Sequence, residues 1–269
     1  MRAGLLGVGW DDHSSHARGP AGAPAHIRAA LHDPAGNRYA PDLTDVLSKG
    51  ALHDHGDVTL PGGDEDVERI TAAAAAVLES GDALLALGGD HAVTYPLMRA
   101  VAARHPGVRI VHIDAHPDLY DDFEGDPLSH ASPFARIMEQ GLATRLIQIG
   151  IRADTPHLRA QAERFGVWSY VSDDIESALV AIASLGDGPV YLSIDLDGLD
   201  PAFAPGVNHH EPGGLTVREV LRVIDALPGT VVGADIVELS PGRDLNGVTA
   251  KVAATLAKSL IARMAKSYG

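Results

Sequence analysis

Six short, nearly uninterrupted apolar runs recur along this chain, and longer stretches with helical spacing separate them. The runs are Gly4–Val8, Ala83–Leu87, Val108–Ile113, Arg145–Ile149, Val190–Ile194 and Thr230–Ile236. A strand with one wet face alternates apolar and polar residues, whereas a strand buried on both faces does not. Continuous runs therefore predict a parallel sheet covered on both sides. The intervening spacing predicts helices over Pro24–Leu31, Asp66–Glu79, Pro96–His105, Ser132–Gln140, His157–Phe165, Asp174–Leu185, Thr216–Ala226 and Asn246–Lys266. Thr216 with Glu219 three residues later is a capping-box pattern, and the run Ala72–Ala76 has high helix propensity. This rhythm predicts an α/β fold of three layers, α-β-α, around a central, mostly parallel sheet. No linker or fixed-period repeat interrupts it, so one domain is expected over 1–269. Asp33–Gly63 is polar with scattered Gly and Pro and reads as long surface loops.

Charge narrows the partners. The chain has 21 Lys and Arg against 36 Asp and Glu, a formal charge of −15. Such a surface argues against nucleic acid and anionic membranes and favours a small cationic substrate. There is no cysteine, so any metal must be held by nitrogen and oxygen ligands. A cytoplasmic location fits that composition. The apolar run ending at Val8 is too short for a signal segment. No run of 18 apolar residues occurs, so no membrane span is expected.

Ligands in open parallel sheets bind outside the carboxyl ends of the strands. Three of the expected strands lead directly into metal-ligand residue types. Leu87 runs into Gly88-Gly89-Asp90-His91, where the glycines would permit a tight turn and place His91 at the strand end. By itself, His91 also reads as a hydrogen-bonded structural histidine. Ile113 runs into Asp114-Ala115-His116-Pro117-Asp118, with ligand types at alternate positions. In an extended segment these share one face. Buried carboxylates need a partner, and a divalent cation supplies one. Ile194 runs into Asp195-Leu196-Asp197, followed by Gly198-Leu199-Asp200-Pro201, where Asp200 reads as a turn former. His91, Asp114, His116, Asp118, Asp195 and Asp197 suffice for two cations with one imidazole each. Such an oxygen-rich set suits Mn²⁺ better than Zn²⁺, although Co²⁺, Ni²⁺ or Fe²⁺ could use the same ligands. Two adjacent cations lower the pKa of a water towards neutrality, which predicts a hydrolase. A rival reading, a dinucleotide loop at Gly4-Leu5-Leu6-Gly7-Val8-Gly9, departs from the required glycine spacing.

The three motifs resemble the signatures of the ureohydrolases, the arginase and agmatinase family. The resemblance runs from Leu5 to near the C-terminus. It includes Ser129-His130-Ala131-Ser132, Glu211-Pro212-Gly213-Gly214 and Gly233-Ala234-Asp235-Ile236-Val237-Glu238. The stretches Asp118–Gly125, Asn208–Pro212 and Asp12–Ser15 are most similar to plant-type arginases.

The resemblance implies two Mn²⁺ per subunit. One would lie on His91, Asp114, Asp118 and Asp195, the other on Asp114, His116, Asp195 and Asp197. It implies that Asp118 hydrogen-bonds the attacking hydroxide and helps protonate the leaving amine. It implies that His130 shuttles a proton and that Glu238 pairs with the substrate guanidinium. It also implies a homo-oligomer, a trimer or hexamer. On residue type alone, His130 reads as a surface histidine after a polar loop. Asp235 reads as a buried, hydrogen-bonded group. Two places depart from the family pattern. Val207-Asn208-His209-His210 stands where many members have Thr-Gly-Thr-Pro, and Tyr120 stands where animal arginases have Asn. The resemblance thus implies urea release, first from L-arginine to give L-ornithine. Agmatine, and guanidino acids such as guanidinobutyrate, stay open as substrates.

Overall fold

Eight strands form one sheet in the order β2-β1-β3-β8-β7-β4-β5-β6, and every neighbouring pair is parallel. The computed structural model describes residues 1–63 and 65–266. The expected domain 1–269 therefore includes four residues, Asp64 and 267–269, that lie outside the described residues. The strands are β1 (Ala3–Gly7), β2 (Leu52–Asp57), β3 (Ala83–Leu87), β4 (Arg109–Ile113), β5 (Arg145–Ile149), β6 (Trp168–Tyr170), β7 (Pro189–Asp195) and β8 (Thr230–Val237). The helices are α1 (Ala23–Leu31), α2 (Asp66–Glu79), α3 (Thr94–Arg104), α4 (Pro133–Glu139), α5 (Pro156–Phe165), α6 (Ile175–Ala183), α7 (Val217–Ala226) and α8 (Val248–Lys266).

Two apolar cores sandwich the sheet. On one face α1, α6, α7 and α8 pack through residues such as Ile27, Ile182, Val223 and Leu260. On the other face α2, α3, α4 and α5 contribute Ile70, Leu97, Phe134 and Leu158. The sheet is thus dry on both sides, which is why β1 and β3 are apolar at every position. Local signals set the ends of the helices. Thr216 accepts from the Glu219 amide while the Glu219 carboxylate accepts from the Thr216 amide, a complete capping box. Thr155 caps α5 ahead of Pro156, and Gly166 ends that helix in the left-handed region.

All six expected strands and all eight expected helices form, with ends shifted by up to two residues. Two strands were not expected, and both are at the edges. β2 reads Leu-His-Asp-His-Gly-Asp and lies within the segment taken for loops, while β6 has only three residues. Residues 8–19, after the glycines of β1, are irregular rather than the start of a helix, so no dinucleotide-type turn forms there. No helix among the described residues is long and apolar enough to cross a membrane.

Candidate dinuclear metal site

The four central strands lie in the order β3-β8-β7-β4, and the motifs leave from their carboxyl ends. His91 follows β3, Glu238 follows β8, Asp195 ends β7, and Asp114, His116 and Asp118 follow β4. Their side chains meet above the middle of the sheet.

Side-chain turns, rather than extended backbone, aim the carboxylates. Asp114 Oδ1 accepts from the His116 amide at 2.6 Å, and Asp195 Oδ1 accepts from the Asp197 amide at 2.7 Å. Each motif is thereby folded into a turn closed by its own aspartate. Asp118 then sits at φ 49°, so the expected one-faced extended run is replaced by a bend. Gly88 and Gly89 also differ from expectation. Neither has a positive φ. A Cβ on Gly89 would lie 1.9 Å from the Trp10 carbonyl oxygen, so close backbone approach excludes any side chain.

His91 Nδ1 lies 3.1 Å from Asp114 Oδ2, 3.0 Å from Asp118 Oδ2 and 3.2 Å from Asp195 Oδ2. It is buried and makes no well-directed hydrogen bond. The proton on this ring is fixed at the other nitrogen. Ser193 Oγ donates to Asp235 Oδ1 at 2.7 Å, so it must accept from His91 Nε2, 2.9 Å away. In the neutral ring Nδ1 then turns its lone pair towards three carboxylates, the place a divalent cation would take. Without one, burial opposes charge on the ring, but these carboxylates outweigh it and raise the imidazole well above its ordinary range, so that a proton stands there. Beside it, His116 Nδ1 lies 3.3 Å from Asp114 Oδ1 and 3.2 Å from Asp197 Oδ2. The residues present fit two cations bound by nitrogen and oxygen.

Residue-type reading did not single out His112. This residue is buried in β4, two positions before Asp114 and on the same side of the strand. That spacing was the available signal. Gln148 Nε2 donates to the Pro117 carbonyl at 2.6 Å and faces His112 Nδ1 at 3.1 Å. His112 Nδ1 must then accept, so Nε2 carries the proton and donates it to Asp114 Oδ2 at 2.8 Å. Burial keeps this imidazole neutral. With both nitrogens engaged, His112 positions Asp114 and does not serve as a ligand.

His130 is 8% exposed rather than a surface residue. Its Nδ1 lies 2.8 Å from Glu238 Oε1, and its Nε2 lies 2.8 Å from Ser15 Oγ. Glu238 Oε1 also accepts from the His91 amide at 3.0 Å. Glu238 Oε2 takes no hydrogen bond among the described residues. Glu238 adopts φ 67°, one of five positive values at described non-glycine positions; Asp118 is another. Such strain is concentrated at functional sites. A cavity of about 220 Å³ opens above, lined by His116, Asp118, His130 and Glu238, with Tyr120 and His209 at its wall. Both departures from the family pattern thus fall on this cavity. Asp235 accepts from Thr94, Tyr191 and Ser193 as a buried hydrogen-bonded group. Asp200 shapes its turn by accepting from the amides of Ala202, Gly213 and Gly214.

The electrostatics are those of a cation cradle. Burial, then Asp197 and Asp114, push Asp195 well above the usual carboxylate range. Burial and Asp114 push Asp197 up to about 6. Carboxylates this close do not all ionise unaided. Burial opposes charge on His130, but Glu238 outweighs it and raises the imidazole to about 9.

A family model described as "Arginase family" matches residues 1–262. The mitochondrial arginase 1 of Arabidopsis thaliana is 45% identical over 97% of this chain and 81% of its own. The mitochondrial agmatinase of Gallus gallus is 36% identical over 95% and 79%. The solved arginase from Medicago truncatula superposes with a TM-score of 0.91 at 40% identity, covering 98% of this chain and 87% of that one. The expected cytoplasmic location is corrected by these matches, because the plant arginases are named as mitochondrial. Lack of cysteine limits cross-linking chemistry and does not report a compartment.

Proposed function

The chain belongs to the arginase family, and from that premise we propose that it hydrolyses L-arginine to L-ornithine and urea. The observation that carries this reading is the convergence of His91, Asp114, His116, Asp118, Asp195 and Asp197 on one point, with Glu238 beside them. Higher identity to plant arginases than to agmatinases supports arginine over agmatine.

We assign one cation to His91, Asp114, Asp118 and Asp195 and the other to Asp114, His116, Asp195 and Asp197. Asp114 and Asp195 would bridge the two. Mn²⁺ is the proposed metal, because the set is rich in oxygen. When bound, the two cations supply a water of lowered pKa. Glu238 holds the guanidinium through charge-assisted hydrogen bonds and so fixes its carbon. Asp118 accepts a hydrogen bond from the attacking hydroxide and later helps protonate the leaving amine. His130 shuttles a proton towards the departing amine as the C–N bond breaks. Oxygen has then replaced that nitrogen on carbon, leaving urea and a primary amine. We propose that the chain is a single domain, a reading supported by β8 and β7 lying between β3 and β4 in one sheet. We also propose a homo-oligomer, a trimer or hexamer, as the family resemblance implies.

A second reading, agmatine to putrescine, is motivated by Tyr120 and His209 on the cavity wall, where family members differ. Steady-state urea release from L-arginine, agmatine and 4-guanidinobutyrate by Mn²⁺-loaded protein separates the readings. The highest kcat/KM is expected for arginine. Urea from agmatine and none from arginine would transfer the assignment to agmatinase.

A further inference from the structure

A second group of metal-ligand residues lies at the opposite ends of the strands, away from the catalytic cluster. His53 and His55 are two apart on the edge strand β2 and share a face. Asp82 immediately precedes β3, so the histidines and the carboxylate reach towards one another from the two strands that flank β1. Gly4, paired with His53, makes this possible. A Cβ there would sit 3.1 Å from His55 Nε2 and 3.0 Å from Asp82 Cβ.

Asp82 is buried at 4% side-chain exposure, and its Oδ2 is crowded. His53 Nδ1, His55 Nε2 and Arg2 Nη2 each lie 3.0 Å from that one oxygen, and Ser80 Oγ lies 3.2 Å away. His53 Nδ1 also lies 3.0 Å from Arg2 Nη2. Arginine can only donate and carboxylate can only accept, so a neutral His53 ring satisfies one neighbour and not the other. Two imidazole nitrogens and a carboxylate oxygen at such separations match three ligands of a small cation. With bonds of about 2.0–2.2 Å in a tetrahedral site, ligand atoms stand roughly 3.3 Å apart.

We propose that His53, His55 and Asp82 form a peripheral, structural site for a borderline divalent metal of the Zn²⁺ class. Two imidazoles and one carboxylate suit Zn²⁺ over Mg²⁺ or Ca²⁺. His53 is 45% exposed, which leaves the fourth position to solvent. The ion ties the edge strand β2 to the start of β3 across β1. Arg2 keeps Asp82 Oδ1 through Nε at 2.8 Å, and its charge makes it the competitor at Oδ2.

The test uses the Mn²⁺-loaded protein titrated with Zn²⁺, because zinc can also exchange into the catalytic cluster. Wild type is expected to bind one more Zn²⁺ per chain than the His53→Ala/His55→Ala variant. Zn-edge anomalous density is expected between the three side chains. Arg2→Gln is expected to tighten this extra site about tenfold. Equal zinc stoichiometry in wild type and the double variant would overturn the proposal, as would zinc density confined to the catalytic cluster.

Discussion

At the scale of single residues, Glu238 raises His130 and His130 lowers Glu238 across one 2.8 Å contact. His130 is raised to about 9, so its stabilising contribution is complete below its ordinary 6.5 and is lost as pH rises through about 9. Glu238 is lowered from its ordinary 4.5; burial opposes this but His130 prevails. Its contribution is complete above 4.5 and is lost as pH falls through the depressed value. Replacing Glu238 with Gln leaves His130 buried without its main counter-charge. An NMR titration of the metal-free protein should therefore find the His130 pKa moved from about 9 towards or below 6.5. An unchanged value would mean that another group holds the proton on. The residues proposed as ligands stood out in the sequence because they fall at alternate positions after apolar runs, and the structure brings their side chains together. The mechanism of their convergence was not legible. A turn closed by an aspartate's own side chain and a left-handed Asp118 leave no trace in residue type.

At the scale of elements, register sets the chemistry of His91. Ser193 on β7 stands opposite Asp235 on β8 in the paired sheet, and their hydrogen bond fixes the His91 tautomer from a distance. Replacing Asp235 with Ala frees Ser193 to donate to His91 and swaps the ring's proton to the coordinating side. Affinity for the first metal should fall by about 10–100-fold, the range for loss of such outer contacts. Isothermal titration would measure it, and unchanged affinity would refute the relay. The buried strands announced themselves because both faces are dry. The edge strands did not. β2 has one exposed edge and polar side chains, and β6 is shorter than any periodicity can register. His112 shares this difficulty: a histidine in an apolar strand looks structural until Gln148, 36 residues away, is seen to fix its proton.

At the scale of the whole molecule, strand order turns scattered motifs into one site. The chain visits β3, β4, β7 and β8 far apart in sequence, yet the sheet makes them its four central neighbours. Residue spacing could predict that the motifs cap strands, but not which strands adjoin. The crowding of Asp195 and Asp197 also belongs to this scale, since beside burial the charge of Asp114, from the end of another strand, pushes both up. The proposed ligand set fits two cations rather than one. The most direct measurement is urea release from L-arginine by metal-stripped protein as Mn²⁺ is added back, with bound metal counted at each step. Activity should require two Mn²⁺ per chain and vanish in both Asp118→Ala and Asp197→Ala. Full activity at one Mn²⁺ per chain, or in either variant, would contradict the account.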